Sequence, residues 1–206
     1  QEAENAKVDL LLVGGSLIAD GDFSKTIQFL KENTNIPICI FPGSFMQIHK
    51  LADAIFFLSL ISGRNPDFLI GNQLMATPML KKLNLEIIPV GYILIDGGKI
   101  TTVQYISNSN PIPADKPEIA ACTALAGEYL GMKCIFMDAG SGAINPISGQ
   151  FVSNVKENIS IPLIIGGGIK TAKHAKEILN SGADAIVVGN AIEQNPNLIS
   201  DIKSIM

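Results

Sequence analysis

Short apolar runs recur along the chain and alternate with more polar stretches of helical character. Near-continuous apolar runs of this length are typical of strands buried on both faces of a parallel sheet. Seven such runs lie at residues 9–16, 36–44, 53–62, 85–91, 133–142, 162–169 and 182–190. The alternation predicts an α/β fold of the (β/α)8, or TIM, barrel type with one strand too few for closure, the first strand being absent from this sequence.

Helical patterns fill most of the intervals between these runs, at residues 23–33, 67–83, 117–130 and 148–158. Only about ten residues separate the second run from the third, so the helix expected there must be short or missing. Residues 92–106 alternate apolar and polar positions around Asp96-Gly97. Because Asp-Gly between alternating runs is a strong turn signal, this stretch predicts a β-hairpin at the barrel mouth.

Composition limits the number of domains and the kind of partner. A chain of 206 residues with 47% hydrophobic residues can form one well-packed domain, so residues 1–206 are expected to be a single unit. The net charge is −4 and the 15 Lys and Arg residues are dispersed, which argues against a nucleic-acid partner.

The cellular setting is predicted from cysteines and from apolar run length. The three cysteines, Cys39, Cys122 and Cys134, lack metal-type spacing and favour a reducing cytoplasm. No apolar run approaches the roughly 18 residues that span a bilayer, and residues 1–5 are no signal peptide. We therefore expect a cytoplasmic protein without an integral membrane segment.

Three of the apolar runs end in glycine clusters: Gly140-Ser141-Gly142, Gly166-Gly167-Gly168 and Gly189-Asn190. Glycines after parallel strands leave backbone N–H groups open to a phosphate, and the loops after the last two strands of such barrels are the usual phosphate site. The Ser141 hydroxyl can add one hydrogen bond. Tight strand-to-helix turns are the alternative explanation for these glycines.

Three further side chains are candidates for chemistry. Asp138 faces the same way as Phe136, either into the barrel or into its helical shell, and an inward carboxylate there could bind a substrate hydroxyl or accept its proton. A capping or salt-bridged Asp is the alternative. Ser16, after Gly14-Gly15, is a candidate magnesium ligand or a helix N-cap. Arg64 could contact phosphate or form a structural ion pair.

Several motifs together resemble geranylgeranylglyceryl phosphate synthases, in particular the branch found in some archaea and in bacteria of the Bacteroidetes type. They are Val13–Ser16, Phe41–Gly43, Leu60–Pro66, Gly91–Gly97, Asp138–Ala143, Ile165–Ile169 and Val188–Asn190. The resemblance implies a modified barrel with one helix replaced by irregular chain. It also implies a magnesium-dependent prenyltransferase that joins geranylgeranyl diphosphate to sn-glycerol 1-phosphate and releases diphosphate, in a homo-oligomer that is a dimer or a hexamer of dimers.

The resemblance also assigns roles to residues, with Asp138 as the catalytic residue and Ser16 as a ligand of Mg²⁺. The glycerol phosphate site it implies consists of Phe136, Met137, Asp138, Ala139, Gly140, Ser141, Gly142, Gly167, Gly168, Gly189 and Asn190. A prenyl chain needs an apolar trough, for which the candidates are Phe56, Phe57, Leu58, Tyr92 and Ile93, each of which could instead be a packing residue.

The sequence departs from the family pattern at two points. The family usually has Tyr where this chain has Phe136, so a hydroxyl that would reach the glycerol moiety is missing. The Asp-Pro-Asp-Lys-like motif of the family's first strand, which supplies a magnesium Asp and a phosphate Lys, has no match here. Two other functions keep the barrel: an isomerase or lyase acting on a phosphosugar-like substrate, and a phosphate-ligand binding barrel without catalysis.

Overall fold

The computed structural model describes residues 1–205, which form seven β-strands and nine α-helices. The strands are β1 (Leu11–Gly15), β2 (Ile38–Pro42), β3 (Ala54–Leu60), β4 (Glu86–Leu94), β5 (Cys134–Asp138), β6 (Leu163–Gly166) and β7 (Ala185–Val187). All neighbouring strands pair in parallel, and the order in the sheet is the order in the chain. The predicted α/β fold with seven strands is confirmed.

The helices are α1 (Glu2–Asn5), α2 (Phe23–Asn33), α3 (Asn72–Leu80), α4 (Thr102–Ser107), α5 (Pro117–Tyr129), α6 (Gly149–Lys156), α7 (Ala172–Asn180), α8 (Asn190–Gln194) and α9 (Leu198–Lys203). A π-helical turn, Asp67–Gly71, leads into α3. Even α5 has only 13 residues, and no helix within residues 1–205 combines the length and apolar composition that a membrane crossing needs.

Local sequence accounts for where several helices begin. The side chains of Asp22, Ser148 and Thr171 accept hydrogen bonds from the backbone N–H groups three residues later, and so cap α2, α6 and α7. Pro117 stands in the first turn of α5, where its missing N–H has no intrahelical partner to lose.

The sheet curls, and its two faces pack against different surroundings. Alternate residues point inward, where side chains from all seven strands form an inner core, and outward, where they meet the helices in an outer core. Members of the inner core are Leu12, Phe41, Phe56, Tyr92, Phe136, Ile164 and Val187. The outer core includes Ile27, Ile40, Ile93, Ile135, Met137, Phe151 and Ile178. Both edge strands, β1 and β7, line one and the same cavity, so the curled sheet wraps around it.

The connection from β2 to β3 contains no helix, as predicted: residues 43–53 form turns and irregular chain. Gln47 holds this segment in place, because its side chain accepts a hydrogen bond from the Gly43 N–H and donates one to the Gly15 carbonyl. The irregular chain therefore packs against the carboxyl end of β1.

The predicted hairpin at residues 92–106 is wrong. Residues 92–94 continue β4, and residues 102–107 form α4. Asp96-Gly97-Gly98 does make a turn, in which Asp96 Oδ1 accepts a hydrogen bond from the Gly98 N–H at 2.9 Å. That turn leads out of a parallel strand, and the chain after it becomes helical instead of pairing back.

Candidate active site

A cavity of about 770 Å³ lies inside the curled sheet and reaches the carboxyl ends of its strands. Side chains and backbone from β1, β5, β6 and β7 and from the loops after them line it. Nine of the residues predicted for the site lie on its wall: Ser16, Phe136, Asp138, Ser141, Gly142, Gly167, Gly168, Gly189 and Asn190. The structure thus brings most of the predicted site together.

Asp138 ends β5 and points into the barrel, which settles the direction that the sequence left open. Its Oδ2 accepts a hydrogen bond from the Tyr92 hydroxyl at 2.6 Å, and its Oδ1 accepts one from the Gly140 N–H at 2.7 Å. Burial raises the pKa of the Asp138 carboxyl above its ordinary value, while these two hydrogen bonds lower it. The carboxylate is oriented by neighbours on both oxygens and lies at the cavity wall.

The loop after β6 approaches Asp138 closely enough that only glycine fits. At Gly167, φ is +79°, and an added Cβ would lie 2.5 Å from Asp138 Oδ1 and 2.8 Å from the Ala139 and Gly140 nitrogens. At Gly166 a Cβ would lie 2.8 Å from the Phe136 ring. The glycines here therefore let two strand ends come together around the carboxylate.

The loops after β5 and β7 are joined by a hydrogen bond from Ser141 Oγ to Asn190 Oδ1 at 2.7 Å. Two lysines that the sequence prediction missed add positive charge beside these loops. Lys170 lines the cavity and donates to the Ala143 carbonyl at 3.2 Å. The Lys99 ammonium lies next to Gly142, 3.3 Å from where a Cβ would stand. The glycine loops and cations together suit an anion.

Three predicted residues contribute differently from the others. Met137 and Ala139 place their side chains in the outer core, since alternate strand residues face opposite sides, so they can offer a ligand only backbone groups. The Gly140 N–H is already used by Asp138 and is not available to a phosphate in this arrangement. Although Met137 and Ala139 flank Asp138 in the sequence, their side chains therefore do not reach the cavity.

Ser16 follows the edge strand β1 and lies against Gly43, where an added Cβ would be 2.5 Å from the Ser16 Cα. Magnesium sites usually contain one or two carboxylates. Within residues 1–205, no three His, Cys, Asp or Glu side chains form a group that could hold a metal ion. Ser16 as a magnesium ligand therefore stays a prediction.

Much of the remaining cavity wall is apolar. Of the trough candidates, Phe56, Phe57, Leu58 and Tyr92 line the cavity. Ile93 does not line the cavity; it is buried in the outer core, which is the packing alternative given for it. Additional apolar residues of the wall are Phe41, Phe45, Phe68, Val103 and Ile106.

Arg64 forms no ion pair within residues 1–205, so the structural alternative predicted for it is not observed, while its contact with phosphate stays a prediction. Its guanidinium donates to the Gly63 carbonyl at 2.7 Å and to the Ser62 carbonyl at 3.4 Å, and so closes its own loop. This loop borders a second, smaller pocket together with Asn108, Ser109 and Asn110.

Sequence reasoning also missed the contact of Tyr92 with Asp138, because Tyr92 was interpreted as a hairpin, trough or packing residue. The strand was predicted to end at Gly91, whereas β4 continues to Leu94. In the observed register Tyr92 pairs with Phe136 on β5, so both rings point inward. Had the strand been extended by three residues, to Leu94, its inward and outward alternation would have placed Tyr92 on the same inner face as Asp138.

The chain is similar over nearly its whole length to a known family. Residues 2–206 match the PcrB family. The chain belongs to this family. Two relatives of this chain are named geranylgeranylglyceryl phosphate synthase. The one from Spirosoma linguale is 48% identical over 206 residues, and the match covers 100% of this chain and 83% of the relative. The one from Chitinophaga pinensis is 52% identical over 197 residues, and the match covers 96% of this chain and 78% of the relative.

A solved structure agrees with this assignment to the PcrB family. The (S)-3-O-geranylgeranylglyceryl phosphate synthase from Thermoplasma acidophilum, in complex with its substrate sn-glycerol-1-phosphate, is 36% identical and superposes with a TM-score of 0.91. The match covers 99% of this chain and 82% of that one. The likeness therefore extends from the sequence to the whole fold of residues 1–205.

Proposed function

We propose that this PcrB-family protein is a geranylgeranylglyceryl phosphate synthase, which transfers a geranylgeranyl group from its diphosphate to the 3-hydroxyl of sn-glycerol 1-phosphate. The observation that carries the proposal is the convergence of the Asp138 carboxylate and the glycine loops after β5, β6 and β7 on one cavity. The names of the relatives at 48% and 52% identity, and the glycerol phosphate complex of the Thermoplasma protein, support the same reaction.

The polar end of the cavity suits the phosphate of glycerol 1-phosphate. Backbone groups of Gly167, Gly168 and Gly189 can donate to phosphate oxygens, and the Ser141–Asn190 pair can reorganise to bind one more. Lys170 on the cavity wall supplies positive charge. With the phosphate held there, the glycerol hydroxyls extend toward Asp138.

Asp138 is the group that can act on the attacking hydroxyl. The bond between C1 of the prenyl group and the diphosphate oxygen breaks, diphosphate leaves with the bonding electrons, and the glycerol O3 forms the new ether bond to C1. The proton of that hydroxyl passes to the Asp138 carboxylate. A carboxylate within hydrogen-bond reach of the proton is what general base catalysis requires.

The apolar wall of the cavity suits the prenyl chain. Phe41, Phe45, Phe56, Phe68 and Ile106 offer aromatic and aliphatic surface beside the polar end. Burying apolar surface is worth about 25 cal/mol per Å², so a long hydrocarbon chain gains most of its affinity there. The cavity therefore has one end for each of the two substrates.

Magnesium dependence belongs to the proposal only as a prediction from the family resemblance, with Ser16 as the ligand it implies. Within residues 1–205 no group of three His, Cys, Asp or Glu side chains forms a metal site, and no step of the reaction is assigned to the ion.

We also propose a homo-oligomer in a reducing cytoplasm. Exposed apolar side chains on the π-helical turn and α3, among them Ile70, Leu74 and Met75, support self-association, and free cysteines at positions 39 and 134 are buried. Light scattering after size-exclusion chromatography distinguishes a monomer from a dimer or a hexamer of dimers.

The reaction is tested by incubating the protein with labelled sn-glycerol 1-phosphate, geranylgeranyl diphosphate and Mg²⁺. The expected result is a label that moves into the organic phase with release of one diphosphate per ether formed. The enantiomer, sn-glycerol 3-phosphate, serves as the matched control substrate. A folded protein that binds glycerol 1-phosphate but forms no ether would support the non-catalytic binding barrel and overturn the proposal.

A further inference from the structure

Tyr92 is the buried tyrosine of this chain, and its hydroxyl is directed at the candidate base. The chain has three tyrosines, of which Tyr105 and Tyr129 are about four-fifths exposed, at 79% and 80%. Tyr92 is 6% exposed, and its hydroxyl donates to Asp138 Oδ2 at 2.6 Å. A buried hydroxyl at this distance from a carboxylate makes a short, charge-assisted hydrogen bond.

The ring of Tyr92 is held in place by aromatic neighbours on two other strands, β2 and β5. It stacks on Phe136 with centroids 5.7 Å apart and packs against Phe41 at 6.1 Å. Phe136 itself stacks on Phe41 at 5.0 Å. The aromatic cluster fixes the ring before any substrate binds. The hydroxyl can therefore hold the carboxylate in one orientation without a further loss of side-chain conformational entropy.

Phe136 faces the same side as Tyr92 and Asp138 but has no hydroxyl. The register pairs Tyr92 with Phe136 on the adjacent strand, so the two rings occupy equivalent heights on the inner wall. The phenolic hydroxyl at this level of the inner wall thus comes from β4 and not from β5.

We propose that Tyr92 is a positioning residue for the transfer reaction, whose hydroxyl orients the Asp138 carboxylate toward the attacking hydroxyl of glycerol phosphate. The inference rests on the proposed function. Two anchors, the Gly140 N–H on Oδ1 and the Tyr92 hydroxyl on Oδ2, leave the carboxylate a single orientation. Orienting a catalytic group in this way is a recognised source of rate enhancement.

The hydrogen bond also affects the protonation state of Asp138. Burial raises the pKa of Asp138, and the Tyr92 hydroxyl lowers it, so Tyr92 favours the ionised form that a general base needs. The pKa of Tyr92 is itself raised by burial and by the Asp138 charge, which keeps its proton in place for donation.

Other groups around Asp138 are uncharged. β6 and the loop after it present Gly166 and Gly167 to the carboxylate, and no salt bridge to Asp138 occurs within residues 1–205. The nearby cations, Lys99 and Lys170, lie at Gly142 and at the Ala143 carbonyl. Tyr92 is therefore the titratable side chain in contact with the carboxylate.

The test is Tyr92→Phe, which removes the hydroxyl and retains the packed ring, with Tyr129→Phe on the exposed end of α5 as the matched control. We expect kcat/KM of Tyr92→Phe to fall at least about tenfold, the effect of losing a hydrogen bond to a charged group, and this loss to be larger at the acidic end of the pH–rate profile than at its alkaline end. The KM for glycerol 1-phosphate should change less than kcat, because the phosphate contacts remain.

A second measurement does not depend on turnover. The carboxyl carbon of Asp138, assigned in ¹³C-aspartate-labelled protein by comparison with Asp138→Asn, should titrate at higher pH in Tyr92→Phe than in wild type. An unchanged titration, or a loss of activity that is equal at every pH, would overturn the positioning role. Absence of ether product from wild-type protein would instead refute the proposed function, whereas the titration could still show whether Tyr92 acts on Asp138.

Discussion

Replacing Gly167 by alanine tests whether the close approach of β6 to Asp138 is a requirement of the fold. The perturbation has two parts. A non-glycine residue at φ +79° lowers the stability of the fold by about 1–2 kcal/mol. The added Cβ would also lie 2.5 Å from Asp138 Oδ1 and 2.8 Å from two backbone nitrogens, and the displacement that relieves such overpacking costs about 1–3 kcal/mol. The sum predicts a destabilisation of about 2–5 kcal/mol.

Gly131 separates the two parts. Its φ is +90°, but an added Cβ would meet nothing within 4 Å, so Gly131→Ala carries the backbone strain without the collision. Urea unfolding of both variants, followed by circular dichroism, gives the two free energies of unfolding. We expect Gly167→Ala to be less stable than Gly131→Ala, and to lose prenyl transfer because the collision displaces Asp138. Equal stability of the two variants would refute the argument that the β6 loop and the carboxylate compete for the same space.

Three further predictions concern Asp138, acid stability and metal removal. Asp138→Asn should lower turnover at least about 100-fold, the range of general base catalysis. It should not lower stability at pH 7, because burial raises the pKa of this carboxyl and its ionised form destabilises the fold. Single-turnover assays measure the first effect and thermal unfolding the second, and undiminished turnover would remove Asp138 from the mechanism. The pKa values of Asp53 and Asp184 are lowered, since hydrogen bonds from a lysine and from a backbone N–H outweigh the opposing effect of burial. The stability that these two carboxylates contribute to the fold is complete above the unfolded pKa of about 3.9 and is lost as the pH falls through the lower folded pKa values. The urea midpoint of unfolding should therefore decline less below about pH 4 in the double variant Asp53→Asn/Asp184→Asn than in wild type. EDTA should abolish prenyl transfer and added Mg²⁺ should restore it, and activity that survives EDTA would contradict the magnesium prediction.

The strands were predictable because the physical cause is local. A strand buried on both faces must be apolar at nearly every position, and such runs are visible without knowledge of their partners. Helix starts were predictable for the same reason at Pro117 and Ser148, where a single residue satisfies or avoids the free N–H groups of the first turn.

The hairpin prediction failed because a turn signal does not specify the partner of the chain that follows it. Asp96-Gly97 turns as expected, but the strand before it is held in parallel between β3 and β5, with no free edge at which a returning strand could pair. Tertiary context decided the structure of residues 99–107, and the local pattern could not reveal it.

The candidate site was predicted in part. The glycine loops could be placed together because carboxyl ends of parallel strands share one edge of the sheet. The inward direction of Asp138 could not be read from its alternation with Phe136 alone, since both faces of the sheet are apolar. Tyr92 was missed because its strand was ended three residues early, and Lys99 and Lys170 because surface loops bring them in from outside the glycine motifs.

The sheet order repeats the chain order, and this has a consequence for how the protein folds and opens. Every strand pairs only with its neighbours along the sequence, so each pairing closes a short loop and adds to structure already formed. The central strands are flanked on both sides, and β4 and β5 contain Val90, Ile93, Ile135 and Met137 with no exposed surface. Amide protons of β4 and β5 should therefore exchange with solvent last, and those of β1 and β7 first. The Asp138 carboxylate would then belong to the slowest-opening unit, and the glycine loop after β7 to a faster one.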